Sequence, residues 1–317
     1  MCDDAENAHD HFIFAACGNF ENRLERVALF GNQESYPLPP TEHSEQARSH
    51  LRGQFRMTTM ERLISTGIQP LRLNTQYHMD PDVSDFPFKH SHLDDSTKEP
   101  TICDSVSVRR HTSRNTPARY LKWVARYLKK NVKDSKASVF VNVADGVCFH
   151  LRQSTSNINH RNMVAILDII KSMENSGIPV ADILVVTFYP KAVAPMQAFF
   201  DFQKVHVCVR YIDSEDIRSS PNHVVIIDCS TTGRGGDQLG RVICARTFLA
   251  ALVLPRALRV VVGQRYLDGT LSSTSTNTGT KILRDFIQTH DQDNQIKDLI
   301  VWNRVLDFED VLNPKIM

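Results

Sequence analysis

Short β-branched runs alternate along this chain with longer stretches whose apolar residues recur every three or four positions. The clearest runs are SVFVNVAD (138–145), DILVVTF (182–188), VHVCVRYID (205–213), HVVIIDCS (223–230) and LRVVVG (258–263). Each reads as a buried strand. Between them lie NINHRNMVAILDIIKSMENSG (157–177), which ends in a glycine stop, PKAVAPMQAFFDFQ (190–203) and GRVICARTFLAALVL (240–254), all of helical period. KILRDFIQTH (281–290) predicts a last helix after the low-complexity loop 269–280. Strands separated by helices of this length form βαβ units. The expectation is an α/β fold: a doubly wound parallel sheet over about 138–263, with helices on both faces.

Upstream the pattern is less regular. RVALF (26–30) predicts a buried strand, RMTTMERLIST (56–66) a short helix ended by Gly67, and PLRLNTQY (70–77) a second strand. Residues 89–117 are rich in His, Ser, Thr and Asp and read as a long polar loop or insertion. ARYLKWVARYLKKNVKD (118–134) is an amphipathic helix, with Tyr120, Leu121, Val124, Tyr127 and Leu128 at helical spacing. Its cations Arg119, Lys122, Arg126, Lys129, Lys130 and Lys133, with Lys136, fall three or four apart. Two readings fit this stripe. One is a solvated helix face; the other is a contact to a phosphate backbone, with Tyr120, Trp123 and Tyr127 stacking or packing beside it.

Composition narrows the classes. The chain has 317 residues, 41% hydrophobic and 23% charged, enough to bury a core. Lys+Arg 37 against Asp+Glu 36 leaves a net charge of +1, so charge alone does not predict a nucleic-acid partner. The seven cysteines form no C-x-x-C pair, which argues against a zinc ribbon or a disulfide framework and fits a reducing, intracellular compartment, cytoplasmic or nuclear. No apolar run approaches membrane-spanning length. His90 and His92 with Asp94 and Asp95 match no strong metal-ligand spacing and read as a solvated loop.

One stretch raises a sharper question. In FGNQESYPLPPTE (30–42) the expected strand ends in Gly31-Asn32 and runs into prolines. That is either an ordinary turn or, as in nucleotide-binding folds, an active loop at a strand's carboxyl end. The order of further segments favours the second. DDA at Asp3–Ala5, with Asp3 and Asp4 otherwise just an acidic terminus, is similar to a D-E-A motif. GNQESYPLPPT is similar to G-D-x-x-Q-L-P-P-T with an insertion, and QYHMDPDVSDFP (76–87) to Q-Y-R-M-H-P-x-I-S-x-F-P. SNINHRN (156–162) resembles S-x-x-N-x-x-E, VVTFY (185–189) I-x-T-P-Y with Phe188 in place of the proline, and RTFLAALVLPRALRVVVG (246–263) R-L-N-V-A-L-T-R-A-R-x-x-x-x-V-G. YIDS (211–214) followed by HVVIIDCS resembles V-D-S-F-Q-G-x-E-x-D-V-V-I-x-S. In this order the segments resemble superfamily 1 helicases of the up-frameshift, nonsense-decay type, from residue 3 to about 265.

The resemblance implies a RecA-like sheet of the P-loop NTPase type. Residues 1–88 would be a remnant of the first RecA-like domain and its junction, 89–117 an insertion, and 118–317 the second domain with a C-terminal extension. It also implies roles. Asp3 and Asp4 would stand for the magnesium ligand and base; Gly31, Asn32, Gln76, His78 and Arg256 would face the nucleotide; Thr187 and Tyr189 would face nucleic acid, as would Lys129, Lys130 and Lys133 if the stripe binds phosphates. Several positions depart from the pattern. There is no G-x-x-x-x-G-K-[ST] phosphate cradle, so the chain would begin in mid-domain. The γ-phosphate-sensing glutamine falls on Ser35 or Pro37, the Q-Y-R-M arginine is His78, and the first T-R-A-R arginine is Leu254. An arginine finger contributes roughly 10³–10⁵ in rate. The expectation is a helicase-like module with no cofactor of its own and no ATP turnover, binding single-stranded nucleic acid or a protein and no membrane. The alternative is part of an active ATP-dependent RNA or DNA helicase, with ATP and Mg²⁺ held once a P-loop half completes it.

Overall fold

The computed structural model describes residues 10–19, 23, 25–31, 57–91, 102–105, 118–144, 146, 148–150, 156–214, 216, 217, 220, 222–230, 245–265 and 278–299. The chain divides into two compact units, Met1–Asn74 and Thr75–Met317. In the first lie helices α1 (Asp10–Gly18) and α2 (Thr59–Ser65). Helix α2 starts where a T-x-x-E signal places it. Glu61 N–H donates to Thr58 Oγ1 at 3.0 Å, and Thr58 N–H returns a bond to Glu61 Oε2 at 3.0 Å. Gly67 follows with φ 96°, a turn that glycine makes without a Cβ clash.

The expected strand at 26–30 is a correction. These residues are largely exposed, with Val27 at 49% and Phe30 at 48%, and only Leu29 has bridge geometry. Most of the expected strand 70–77 is likewise irregular, and Leu71 and Leu73 are 92% and 83% exposed. A run of apolar residues makes a strand only where a neighbouring strand meets its backbone groups, and composition does not supply the neighbour.

The second unit is built on one six-stranded sheet in the order β10-β3-β9-β8-β6-β7, parallel throughout: β3 (Ser138–Val143), β6 (Ile183–Thr187), β7 (Cys208–Tyr211), β8 (Val224–Asp228), β9 (Leu258–Gly263) and β10 (Ile296–Leu299). Two small ribbons flank it. One pairs β1 (Thr75–Gln76) with β2 (Cys103–Asp104); the other pairs β4 (Cys148–His150) with β5 (Asn157–Asn159). The helices of this unit are α3 (Pro81–His90), α4 (Ala118–Leu128), α5 (His160–Glu174), α6 (Val193–Phe202), α7 (Ala245–Leu252) and α8 (Thr278–Gln292). Helices α5 and α6 carry the chain toward the β7 edge, and α7 and α8 carry it back toward β10. Right-handed crossovers therefore put the two pairs on opposite faces. Ring contacts agree: His160 of α5 meets Phe199 of α6 at 6.1 Å, and Phe248 of α7 meets Phe286 of α8 at 5.7 Å.

The doubly wound parallel sheet is thus as expected, with differences at its margins. Strand β10 was not expected; IKDL has too few β-branched residues to stand out, and pairing with β3 makes it a strand. Helix α4 stops at Leu128. Lys129 adopts φ 56° and Lys130 N–H reaches back to Ala125 O at 2.8 Å, a left-handed helix end made without glycine. Lys133 and Lys136 therefore lie beyond the helix whose face they were expected to share.

Helix α3 joins the sheet through a buried arginine. Arg259, on β9, is fully buried. Its Nε donates to Ser138 Oγ at 2.9 Å, and Nη1 donates to Val83 O at 3.0 Å and Leu252 O at 2.9 Å. The guanidinium also lies 5.3 Å from the Phe286 ring centre. Around α3, Met79, Val83, Phe88 and Ala137 form a core onto which Ile102, Leu121 and Val253 pack. Lysine offers no fork to span three acceptors. Arg259→Lys is therefore expected to lower stability by roughly 2–4 kcal/mol, by leaving buried carbonyls unmet. A urea midpoint unchanged from wild type would refute this role.

Candidate functional site

The sheet has two polar edges, and the expected site residues divide between them. At the amino edge, the lead-ins to β8 and β9 meet the turn between β1 and α3. Asp80 N–H donates to Arg256 O at 2.7 Å, Arg256 N–H to Asn222 O at 2.8 Å, and the N–H groups of Ala257 and Leu258 both to His223 O at 3.0 Å. These bonds bring together Gln76, His78 and Arg256, which the sequence could relate only by resemblance.

Within that turn Gln76 is a brace. Its Nε2 donates to Met79 O at 2.8 Å and to Asp104 Oδ1 at 2.6 Å, while Oε1 accepts from His78 N–H at 2.9 Å and Met79 N–H at 2.8 Å. Asp80 then caps α3, accepting from Asp82 N–H at 3.0 Å. This is the strand and capped helix that the local pattern of 76–87 predicts. The His78 ring bonds to the Leu254 backbone and lies 3.5 Å from the Asn222 amide nitrogen. Its pKa is lowered, first by burial, then by the Arg256 charge, with a smaller contribution from His223. The arginine-finger position is filled by Leu254, whose side chain is buried. Arg256 is exposed, as is Tyr77, at 72%. Asn222, His223 and Tyr77 were missed in the sequence. Nothing in SSPNH marks two of its residues as neighbours of His78, because the contact depends on the order of strands in the sheet.

The carboxyl edge is lined by asparagines. Asn159 caps α5, accepting from Arg161 N–H and Asn162 N–H at 3.1 Å each. Asn162 Nδ2 donates to Asp228 Oδ1 at 2.8 Å, and the Ser230 hydroxyl donates to the other carboxylate oxygen. Asn157 Nδ2 donates to the Tyr189 hydroxyl at 3.2 Å, and Tyr189 N–H to Thr187 Oγ1 at 3.3 Å. Gln264 Nε2 donates to Gly146 O at 2.7 Å. A Cβ on Gly146 would lie 2.7 Å from Asn159 Nδ2 and 3.0 Å from Gln264 Nε2, so a side chain there would have to displace one of these amides. Among the described residues, Asn157 Oδ1 and Asn162 Oδ1 are buried acceptors without a hydrogen-bond partner. Carboxyl ends of strands in open α/β sheets are where ligands bind. Thr187 and Tyr189 stand at this edge but are buried, holding the loop by these bonds.

The basic stripe lies at the amino edge, away from Thr187 and Tyr189. Arg119 pairs with Asp182, just before β6, at 3.0 Å, and Lys136 with Asp293, just before β10, at 2.7 Å. Lys130 Nζ donates to the carbonyls of Asp293 and Asn294 at 2.9 and 3.1 Å, placing a cation at the carboxyl end of α8. Lys129 and Lys133 are exposed. The aromatic residues face inward: Trp123 Nε1 donates to Ser172 Oγ of α5 at 3.1 Å, and its ring stacks on Tyr127 at 4.8 Å.

Gly31 is exposed in the first unit. Asp3, Asp4, Asn32, Ser35, Pro37, His92, Asp94 and Asp95 lie outside the described residues. Among the described residues there is no group of three potential metal ligands, and no helix is long and apolar enough to cross a membrane.

Asp228 provides a chemical check on the carboxyl edge. Burial pushes its carboxyl up to about 6, against the hydrogen bonds from Ser230 and Asn162. A raised folded-state pKa contributes stability that is complete below the unfolded value near 4 and is lost as pH rises through about 6. Asp228→Asn removes that dependence. Its stability relative to wild type is expected to improve by roughly 2–3 kcal/mol between pH 4 and pH 8. Parallel denaturant curves across that range, with no change in the difference, would refute the raised carboxyl.

A family model described as AAA domain (AAA_12) matches residues 43–259. The match runs through α2, the amino-edge turn and the sheet as far as the second residue of β9. No curated protein gives a significant match. The matched stretch exceeds half of the 317 residues, and the parallel six-stranded sheet of the second unit is consistent with a RecA-like P-loop NTPase fold. The chain belongs to the AAA domain family and carries a helicase-like domain.

Proposed function

We propose that this chain is a helicase-like module of superfamily 1, related to the up-frameshift type, which engages single-stranded nucleic acid along its carboxyl edge and does not turn over ATP by itself. One observation carries the second half of this reading. At the amino edge, where the helicase pattern has three arginines, His78 and buried Leu254 replace two of them and leave Arg256 as the guanidinium of the cluster. An imidazole held by Asn222 and the Leu254 backbone does not offer the two parallel bonds that a guanidinium gives a phosphoryl group. The sequence also has no G-x-x-x-x-G-K-[ST] cradle. With saturating single-stranded RNA and MgATP, turnover is expected to equal the buffer blank. A rate of about one per second, in the ordinary range for enzymes, would overturn the reading.

The nucleic-acid half rests on the carboxyl edge, where a polar floor and the turn after Tyr189, bearing exposed Lys191, lie at the strand ends. Each phosphate neutralised on a single strand contributes about 0.7 to the slope of log K against log salt. Lys191→Glu is expected to weaken binding of a labelled oligonucleotide in fluorescence anisotropy and to flatten that slope. The paired reversal Lys129→Glu, Lys133→Glu, at the opposite edge, should leave both unchanged. The reverse result would move the contact to the stripe. Lys130 is spared in this test because its ammonium holds the end of α8.

A second reading has support in the first unit. Leu71 and Leu73 are almost fully exposed, as strand residues are when their sheet is supplied from elsewhere. On this reading a P-loop-bearing half completes the unit and brings ATP and Mg²⁺. A full-length transcript with an in-frame P-loop upstream of Met1 would favour it.

A further inference from the structure

Among the described residues the six-stranded sheet ends at β7, with β6 on its inner side and no strand on its outer side. In a ladder, alternate residues turn their backbone groups toward one neighbour or the other. Ile212 N–H donates to Thr187 O of β6 at 3.1 Å, so Cys208, Arg210 and Ile212 turn their backbone groups inward. Val207, Val209 and Tyr211 turn theirs outward. VHVCVRY (205–211) is rich in valine, and an edge of this kind is a template for another strand.

The outward groups are met instead by side chains and turns. From α6, Gln197 Nε2 donates to Val207 O at 3.0 Å, and Gln197 Oε1 accepts from Val209 N–H at 3.2 Å. One carboxamide thus makes the pair of bonds that one residue of a further parallel strand would make. The amide has a single orientation that suits its surroundings. Its Nε2 also donates to Asp201 Oδ1, one turn along α6, at 3.3 Å, so acceptors lie on the nitrogen side and the Val209 N–H on the oxygen side. Val209 O accepts from Arg210 Nη1 at 3.0 Å, and Arg210 Nε is held by Asp216 Oδ2 at 2.7 Å. At the two ends, Val207 N–H donates to Val205 O at 3.1 Å, and Tyr211 O accepts from Ser214 N–H at 3.0 Å.

We propose that Gln197 guards the β7 edge, and that the strand it holds off is β7 of a second copy of this chain, paired antiparallel about Val209. The register follows from which groups face out. The N–H and C=O of Val209 both do, so a two-fold axis beside that residue lets two copies exchange a pair of bonds. The next pair along sets Val207 of one copy opposite Tyr211 of the other. Beyond them the turn bonds of Val207 N–H and Tyr211 O end the ladder. A second copy is the occupant because this edge, turned through the two-fold, complements itself. The inference concerns a side of the sheet that the nucleic-acid reading does not use, and it stands apart from that reading.

The test compares the full chain with Gln197→Ala, with Val209→Pro and with the two combined. Proline at 209 leaves the β6 bonds intact, because the Val209 N–H faces away from β6. Sedimentation velocity over a concentration series reads mass, and hydrogen exchange reads the Val209 amide. Wild type is expected to show no concentration dependence that Val209→Pro alters. Gln197→Ala should move toward twice the mass of one chain as concentration rises, with the Val209 amide gaining protection in step. Adding Val209→Pro should return it to wild-type behaviour. If circular dichroism shows that the alanine variant does not fold, Gln197→Met takes its place with the same expectation, since methionine keeps the helix and the side-chain length without the amide. A folded Gln197 variant whose mass and Val209 exchange ignore concentration would overturn the proposal. So would association that survives Val209→Pro, or growth beyond two copies.

Discussion

Arg259 carries a positive charge into the centre of the second unit, and among the described residues no carboxylate bonds to it. Burial lowers its pKa to about 9, with Asp85 the one charge that offsets the fall, so the guanidinium is still protonated near neutrality. It is stabilised by carbonyl oxygens instead. One comes from Leu252, at the carboxyl end of α7, where the helix dipole is negative. Another comes from Val83 in the first turns of α3, and the Ser138 hydroxyl of β3 completes the set. His290 shares that hydroxyl at 2.7 Å and is held neutral, its pKa lowered to about 3 by burial and by Arg259 itself. One cation thus ties two helices and two strands and leaves no room for a second. The turn carrying His78 leads directly into α3, so the position of the amino-edge surface follows from where this guanidinium sits.

The two edges of the sheet ask for different chemistry. The amino edge collects imidazole and guanidinium groups on short lead-ins, whose geometry the strands themselves enforce. The carboxyl edge collects carboxamides, hydroxyls and carboxyl groups with raised pKa, Asp228 and Asp213. Among the described residues, buried acceptors on Asn157 and Asn162 are left over there. A doubly wound sheet separates these functions because its loops leave from one edge and return at the other. The basic stripe shares the edge of the imidazoles, and three of its seven cations, Arg119, Lys130 and Lys136, hold the approach to β6 and the carboxyl end of α8.

What could be read from the sequence follows the same division between local and distant causes. The β-branched runs of β3, β6, β8 and β9 are buried on both faces, so their composition alone marks them. Gly67 and Gly177 ended helices where expected, because each adopts a positive φ on its own account. The turn of Gln76 to Asp80 was recognisable because the bonds that shape it, from Gln76 to His78 and Met79 and from Asp80 to Asp82, are local. By contrast, β10 exists because β3 offers it a ladder, and 26–30 lacks one. The end of α4 at Leu128 was hidden because lysine took the left-handed turn that glycine usually marks. Within LRVVVG, Arg259 gave no sign of its role: its partners come from four other elements, and none is closer in sequence than Leu252. The neighbourhood of His223 and His78 was invisible for the same reason.

The order of strands also has a consequence for how the molecule is made. Strand β3 lies between β9 and β10, and the bond from Arg259 to Ser138 spans 121 residues. A ribosome adding about 5–20 residues per second leaves β3 waiting roughly 6–24 s for that partner. Through much of that interval a buried strand rich in Val and Phe waits with neither neighbour yet translated, although β6, β7 and β8 can already pair with one another. Production of this chain in a cell therefore rests on whatever shields one nascent segment, and slower elongation downstream of β3 would favour aggregation over assembly.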